Sequence, residues 1–311
     1  MDVGDAIRCE RWPGTKAGKG RTMDRPVVVT RDQIIGVLRR VGLGRGDVLF
    51  VHNSMKAFGY VVGGPEAVVD ALLFTVGPRG HVTVPTFTSC RVRPDGGGNV
   101  FDAATSGSRL GIIGETLRRR PTAHRSGHPT KSLAAIGPRA ADLVVGAEAG
   151  TDFDIDGPYG RLVAWGAWVV FLGTHIGGNS MFHVVEDWLD LPYMATCEAL
   201  VRRGDEVVRV PERRAPPGHR GFYGGEQRPV NRAFLATGHV RATHLNHTLI
   251  RAIPARALVR FALEAERATP GSMLCDDPAC QFCTTGRAAC VENRAAILDH
   301  IRMVEARGLA G

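Results

Sequence analysis

The sequence has no long apolar run and no apolar segment at its N-terminus. Its 311 residues are 44% apolar, yet no stretch approaches the roughly 18 consecutive apolar residues that a membrane-spanning helix needs. Residues 1–24 lack the apolar centre of a secretory signal. We therefore expect a cytoplasmic globular protein without a membrane partner, long enough to bury a large core.

Cysteine and lysine are both scarce. The seven cysteines are an odd number, and four of them crowd near the C-terminus, which argues against a secreted disulfide framework and for free thiols or metal ligands. Only four of the 39 basic residues are lysine. The net charge of +8 comes from arginines scattered over the whole chain, with no basic stripe interleaved with aromatic residues. This distribution disfavours nucleic acid as a partner and is compatible with a cofactor that carries several phosphates.

Helical and strand patterns alternate along the chain. A capped amphipathic helix is predicted after Thr30, a buried strand at 47–52, a helix at 65–76 and a strand at 81–88. The further predictions are a long loop at 89–109, a helix at about 110–119, a hairpin turning at Gly204-Asp205, a linker at 211–229, and helices at 247–268 and 293–308. The pattern predicts an α/β fold. Residues 1–27 are expected to form a loose extension, and 28–311 one domain with a C-terminal lobe from about 193.

The strand at 167–173 is the most convincing buried strand, and a Gly-rich loop and a helix follow it. On that helix His183, Glu186 and Asp187 lie three and four residues apart and therefore on one face, so a carboxylate can hold the imidazole. Asn179 and Ser180 stand at the helix start, where the free N–H groups favour developing negative charge. The alternative is a structural histidine with Ser180 as an ordinary cap.

Several segments together resemble one enzyme family. They are VHNSMKAFGYVVGG at 51–64, FD at 101–102, RSGHPTKSLAAIG at 125–137, GPYGRL at 157–162 and GTHIGGNSMFHVVED at 173–187. Their order and spacing are similar to those of the aminoglycoside 3-N-acetyltransferase family, also called the antibiotic N-acetyltransferases, over roughly residues 28–200. The resemblance implies a three-layer α/β/α fold, distinct from the commoner acetyltransferase superfamily, and direct acetyl transfer from acetyl-CoA to an amine.

The resemblance also implies roles for individual residues. An alkylammonium with a pKa of about 10 cannot attack a thioester until it loses a proton, so the reaction needs a base. His183 matches the family's catalytic histidine and Glu186 the carboxylate that orients it. Ser180 stands where the family usually has Thr, and Asp102 matches an aspartate near the acceptor. For Asp102 a plain turn residue is the alternative.

Coenzyme A needs backbone N–H groups and cations for its phosphates and an apolar slot for its pantetheine arm. The resemblance assigns cofactor contact to two groups of residues: Ser54, Lys56, Phe58, Gly63 and Gly64 in the first motif, and Arg125, Ser126, His128 and Pro129 in the second. A Gly-Gly pair before a helix is by itself more often a turn than a phosphate site. No metal is expected at the reaction centre.

Cys275, Cys280, Cys283 and Cys290 have the spacing C-x₄-C-x₂-C-x₆-C. Four thiolates this close can surround one structural zinc ion, although the spacing is not a standard one. Free thiols and a redox pair remain alternatives, and the family resemblance does not require the cluster.

The acceptor amine is not determined by these patterns. The family implies the 3-amino group of a polycationic aminoglycoside, and hence antibiotic resistance, yet the loops at 89–101 and 211–232 are basic overall. Asp95, Asp102, Asp152, Asp154, Asp156, Asp187 and Glu226 are candidates for a local acidic pocket. A biosynthetic N-acyltransferase for another amine, a non-catalytic small-molecule binder and a zinc-containing nucleic-acid module remain as alternative functions. No oligomeric state is predicted.

Overall fold

The structure is a computed structural model that describes residues 27–93, 95–146, 153–214, 222 and 225–310. The helices in those ranges are α1 Arg31–Arg40, α2 Gly64–Val76, α3 Ile112–Arg118, α4 Ala140–Val144, α5 Pro158–Ala164, α6 Met181–Trp188, α7 Pro229–Leu235, α8 Ala255–Ala268, α9 Gln281–Glu292 and α10 Arg294–Ala306. The strands are β1 Val28–Val29, β2 Val48–Asn53, β3 Tyr60–Val61, β4 His81–Pro85, β5 Val100–Phe101, β6 His124–Arg125, β7 Leu133–Ile136, β8 Trp168–Leu172, β9 Ala195–Arg203, β10 Glu206–Arg214, β11 Arg241–Leu245 and β12 Thr248–Pro254.

A mixed sheet of seven strands forms the middle layer, in the order β11-β12-β8-β2-β4-β7-β6. Its central strands β8, β2 and β4 are parallel, and the outer strands pair antiparallel on both sides. A second sheet, β10-β9-β5, is separate from the first. Because β2 and β8 are parallel neighbours, their carboxyl ends meet at one edge, where α/β proteins commonly place their sites.

Each face of the seven-stranded sheet is covered by helices. Along β2, Leu49 and Val51 belong to the core shared with α1, α2 and α3, whereas Val48 and Phe50 belong to the core shared with α4, α5, α6 and α8. Alternation follows from the two-residue period of a strand, which sends successive side chains to opposite faces. The expected three-layer α/β/α fold is therefore confirmed.

The local sequence signals set several element ends as expected. Thr30 and Gln33 form the reciprocal capping box that begins α1, and Pro65 lies in the first turn of α2. The hairpin of β9 and β10 turns at Gly204-Asp205, as predicted. No helix of the described residues is both long and apolar enough to cross a membrane.

Three expectations about secondary structure were wrong. Residues 248–254 form strand β12 rather than helix, because Thr248, Ile250 and Ile253 suit a strand and Pro254 cannot lie inside a helix. The loop at 89–109 contains β5, which pairs with β9. The predicted linker at 211–229 begins too early, since β10 continues to 214. The expected N-terminal extension lies, apart from residue 27, outside the described residues.

Candidate active site

A buried chain of three side chains lies on α6 and the segment after it. The Nδ1 atom of His183 is 2.5 Å from Oε2 of Glu186, and the hydroxyl of Tyr193 donates to Oε1 of the same carboxylate at 2.8 Å. Glu186 is 0% exposed. With the carboxylate ionised, Nδ1 is the donor, which leaves the lone pair of the ring on Nε2. Burial, followed by the charge of Glu186, raises the pKa of Tyr193 well above its usual value, so its hydroxyl remains a donor.

Two aromatic rings flank the imidazole of His183. Phe153 stacks on it with ring centroids 6.4 Å apart, and Phe222 meets it edge-on at 4.8 Å. The carbonyl of Phe153 accepts the indole N–H of Trp188 at 2.6 Å, and that of Phe222 accepts the amide of Asn231 at 2.7 Å. These bonds from the side chains of Trp188 and Asn231 hold the backbone of both phenylalanines, which contact the imidazole from two directions.

The start of α6 follows β8 through a short 3₁₀ turn, Ile176–Gly178. The side chain of Asn179, not that of Ser180, accepts the N–H of Met181 at 3.0 Å. Ser180 has no capping bond, although its backbone starts the helix. The hydroxyl of Ser180, which lies one turn before His183, is therefore not used as a helix cap.

A second buried carboxylate, Glu212, lies close to the aromatic wall. It receives two bonds from Arg91, at 2.7 and 2.9 Å, and lies 3.5 Å from the ammonium of Lys131. The same ammonium lies 4.8 Å from the ring centroid of Phe153. Burial opposes ionisation of Glu212, but Arg91 and Lys131 outweigh it and lower the pKa of this carboxyl. Glu212, Arg91 and Lys131 thus form an ion-pair cluster that contacts the ring of Phe153 through Lys131.

The first predicted cofactor group surrounds the carboxyl end of β2. Ser54 follows this strand directly, Lys56 is exposed, and Gly63 and Gly64 precede and begin α2 with φ of 81° and 61°. Both values lie in the left-handed region that favours glycine. The ring of Phe58 is 1% exposed in the core beside α1 and α2. The side chain of Phe58 is therefore not accessible to the pantetheine arm. The predicted cofactor contact of this residue would have to be made by its backbone.

The second predicted cofactor group makes mainly internal bonds. The guanidinium of Arg125 donates to the carbonyls of Ala103, Ser106 and Thr86 and lies over the ring of Phe101. It therefore fastens the loop after β5 to the end of β4.

The other members of that second group are buried. The hydroxyl of Ser126 accepts the N–H of Leu133, Nδ1 of His128 accepts the N–H of Lys131, and the carbonyl of Pro129 accepts the hydroxyl of Thr88. Burial lowers the pKa of His128 to about 4. These residues organise the loop that carries Lys131.

Asp102 lies in the loop that Arg125 holds. Its carboxylate accepts the N–H groups of Ala104 and Thr105 at 2.8 and 3.1 Å, and these bonds lower its pKa. The arrangement is that of a turn residue whose second oxygen remains for another contact. Its predicted place near the acceptor stays a prediction.

The four C-terminal cysteines do not converge as a group of four. The sulfur atoms of Cys275, Cys280 and Cys283 lie within 4.8 Å of one another, and Cys290 is not one of this set. Cys290 is fully buried, and burial followed by the charge of Glu266 raises its pKa to about 12. It points to the protein interior because it lies on the buried face of α9 that Cys283 and Gly286 share, two turns beyond Cys283.

Sequence reasoning missed five side chains of this site. Tyr193 lies beyond the predicted helix end, and Phe153 and Phe222 lie in segments with no helical or strand period. Glu212 fell in the predicted linker. Lys131 lies inside the motif RSGHPTKSLAAIG, and its place in a segment that matches the family is the signal that could have identified it.

The chain matches the family model described as aminoglycoside 3-N-acetyltransferase over residues 50–266. It is 35% identical over 182 residues to aminoglycoside N(3)-acetyltransferase VII of Streptomyces paromomycinus, an alignment that covers 53% of this chain and 62% of that protein. The chain thus spans less than two thirds of the length of that curated relative.

Solved structures resemble the fold over a larger share. Aminoglycoside acetyltransferase AAC(3)-Xa superposes with a TM-score of 0.69 at 30% identity, covering 76% of this chain and 92% of that one. AAC-IIIb in its binary complex with CoASH superposes with a TM-score of 0.67 at 25% identity, covering 76% and 95%.

Acid should destabilise the fold through His52, on β2. This ring is buried between Phe50 and Phe171, its Nε2 has no partner among the described residues, and burial lowers its pKa to about 4. The unfolded chain therefore binds a proton first as the pH falls below the ordinary 6.5, and stability is lost between 6.5 and 4. From pH 7 to pH 5 we expect His52 to account for a loss of about 2 kcal/mol.

Urea unfolding of His52→Phe measured at both pH values checks this, since the variant should lose that part of the pH dependence. The same substitution at exposed His247 should keep it. An unchanged pH dependence in His52→Phe would refute the assignment.

Proposed function

The chain belongs to the aminoglycoside 3-N-acetyltransferase family, and on that premise we propose that it transfers an acetyl group from acetyl-CoA to a primary amine. The observation that carries the proposal is the bond between His183 and the fully buried Glu186. A histidine held in one tautomer by a carboxylate is the arrangement that general-base catalysis requires. The CoASH complex of the related AAC-IIIb supports the choice of acyl donor.

In this mechanism the acceptor arrives as an ammonium, which gives its first proton to solvent through Nε2 of His183, and Nε2 then takes a second proton from the neutral amine as its nitrogen attacks the thioester carbon. Glu186 keeps Nδ1–H in place and stabilises the imidazolium that forms. Tyr193 holds the second oxygen of Glu186, so the carboxylate cannot rotate away. The new C–N bond replaces the C–S bond, and the proton on His183 passes to the departing sulfur to give CoASH.

Negative charge develops on the thioester oxygen during the attack. The backbone at the start of α6 and the hydroxyl of Ser180 are the groups that would stabilise it, because the helix N-terminus carries partial positive charge and Asn179 already provides the cap. Asp102 is assigned the incoming ammonium.

The coenzyme is assigned to the carboxyl edge of β2. Gly63 and Gly64 put no side chain over the start of α2, and apart from chain neighbours and the helix's own backbone no atom lies within 4 Å of a Cβ built on Gly64. Such a helix start binds phosphate oxygens, with Ser54 and Lys56 beside it. In the second motif, Arg125, Ser126, His128 and Pro129 shape the neighbouring loop, and backbone groups there remain the candidates for cofactor contact.

For the acceptor we propose the 3-amino group of an aminoglycoside, which is the substrate that the family name states. One observation favours a less cationic amine as second candidate. Asp187 lies 3.7 Å from Arg213, Glu226 lies 2.5 Å from Arg251, and Glu212 is paired with Arg91 and Lys131. Carboxylates that already have cationic partners attract a polycation less strongly.

Replacing His183 by Ala should remove nearly all acetyl transfer while leaving coenzyme A binding nearly intact. We expect turnover to fall by about 10²–10⁴, the usual contribution of a general base, measured as thiol released from acetyl-CoA in the presence of an amine. His247→Ala is the control, since that ring is exposed in the β11–β12 turn. Full turnover in His183→Ala would exclude the mechanism, and amine binding without thiol release by the native chain would indicate a non-catalytic binder.

Replacing Tyr193 by Phe should lower kcat by about tenfold with little change in the KM for acetyl-CoA, because a hydrogen bond to a charged acceptor is worth about 1.5–3 kcal/mol. Tyr159→Phe is a matched control. It also loses a core hydroxyl, one that donates to the carbonyl of Lys131, whereas the hydroxyl of Tyr193 donates to Glu186. Equal loss of kcat in both variants would assign Tyr193 a merely structural role.

The acceptor question is decided by a panel of aminoglycosides and neutral or anionic primary amines, each assayed for thiol release with the modified nitrogen mapped afterwards. We expect the highest kcat/KM for an aminoglycoside, with the acetyl group on N3. Preference for a monocationic or anionic amine would instead support the second candidate.

A further inference from the structure

Three thiols of the C-terminal lobe meet where the chain enters α9. Cys275 and Cys283 are 3% and 1% exposed, Cys280 is partly buried, and their sulfur atoms lie within 4.8 Å of one another. Cys280 precedes the first residue of α9 and Cys283 lies in its first turn. The loop that leads into the helix places Cys275 beside these two cysteines.

The spacing of these sulfur atoms is close to that of a metal site. Zinc–sulfur bonds of about 2.3 Å at tetrahedral angles place the sulfur atoms about 3.8 Å apart, so thiols already within 4.8 Å need to move by at most about 1 Å. A disulfide would bring two sulfur atoms to about 2.05 Å and leave the third thiol alone. The convergence of three favours a metal.

The backbone around Cys275 is held in place from two sides. The buried carboxylate of Glu266 accepts the N–H groups of Gly271 and Met273, and the guanidinium of Arg287 donates to the carbonyls of Gly271 and Cys275. Three thiolates around a divalent ion leave one net negative charge, which the nearby Arg287 offsets. Both features are what a preformed thiolate site needs.

We propose that Cys275, Cys280 and Cys283 bind one zinc ion through three thiolates, and that an exchangeable ligand such as water occupies the fourth position. Among the residues that the structure describes, no further cysteine, histidine or carboxylate joins this set. Cys275 borders a surface cleft together with Asp276, Asp277 and Arg287, which gives the fourth ligand a way in. The thiol protons pass to solvent as the metal binds.

A bound ion would hold in place the first turn of α9, the helix that packs against Tyr193. Phe282 packs edge-on against the ring of Tyr193 at 6.3 Å, and a Cβ on Gly286 would lie 3.1 Å from that of Tyr193. Both residues belong to α9, whose first turn carries Cys283. Metal binding is nonetheless separate from acetyl transfer, so it stands or fails independently of the proposed reaction.

The test uses the full chain, freed of metal with a chelator under reducing conditions and titrated with Co²⁺ as an optical probe, then with Zn²⁺. We expect thiolate-to-cobalt charge-transfer bands that saturate at one ion per chain and disappear as zinc displaces cobalt. Zinc should also raise the melting temperature of the native chain. Absence of stoichiometric cobalt binding would overturn the proposal without any variant, as would two missing thiols in the untreated chain, which would indicate a disulfide.

Two substitutions separate three ligands from four. Cys283→Ser should weaken zinc binding by at least about 100-fold, whereas Cys290→Ala, which removes a buried thiol outside the set, should bind as the native chain does. An equal loss in Cys290→Ala would replace the three-thiolate site by one with four. Cys197→Ser, in strand β9, controls for loss of a thiol elsewhere.

Discussion

The fully buried carboxylate of Glu186 is the constraint on which the arrangement of the site depends. A buried ion is tolerated only when its oxygens are bonded, and this one has His183 on one oxygen and Tyr193 on the other. The two partners come from the same helix and the turn that follows it, so a short piece of chain satisfies the charge. Phe153 and Phe222 pack against the ring, and His183 is 8% exposed, so these bonds lie in surroundings of low dielectric constant, where they are stronger than in water.

Local geometry explains what could be predicted from the sequence. The pairing of His183 with Glu186 follows from helical spacing, and the buried strand before them has a clear apolar run, so both were found. Tyr193 was not, because its position depends on a chain reversal at Asp190, which adopts a positive φ of 48°. Strand β12 was taken for helix because its apolar residues are stabilised by β8, a distant partner that no local pattern reveals.

The resemblance to the family identified the segments that form the candidate site but not the role of every residue in them. In RSGHPTKSLAAIG, Arg125 and Ser126 bond to neighbouring loops and strands, while Lys131 reaches the aromatic wall beside His183. A motif contains the residues that hold a loop as well as those that face a ligand, because both are needed to keep its shape. Only the bonding partners distinguish the two, and they depend on tertiary contacts.

The region of similarity to the family ends at Glu266, yet this residue is no boundary in the fold. Its buried carboxylate is bonded by Gly271, Ser272 and Met273 of the loop that follows, and its charge acts on the same interior as that of Glu186. A chain cut where the resemblance stops would keep helix α6 but remove the groups that bond the buried carboxylate of Glu266. A shortened form of this chain must therefore keep the residues that bond Glu266, whatever the limits of the alignment.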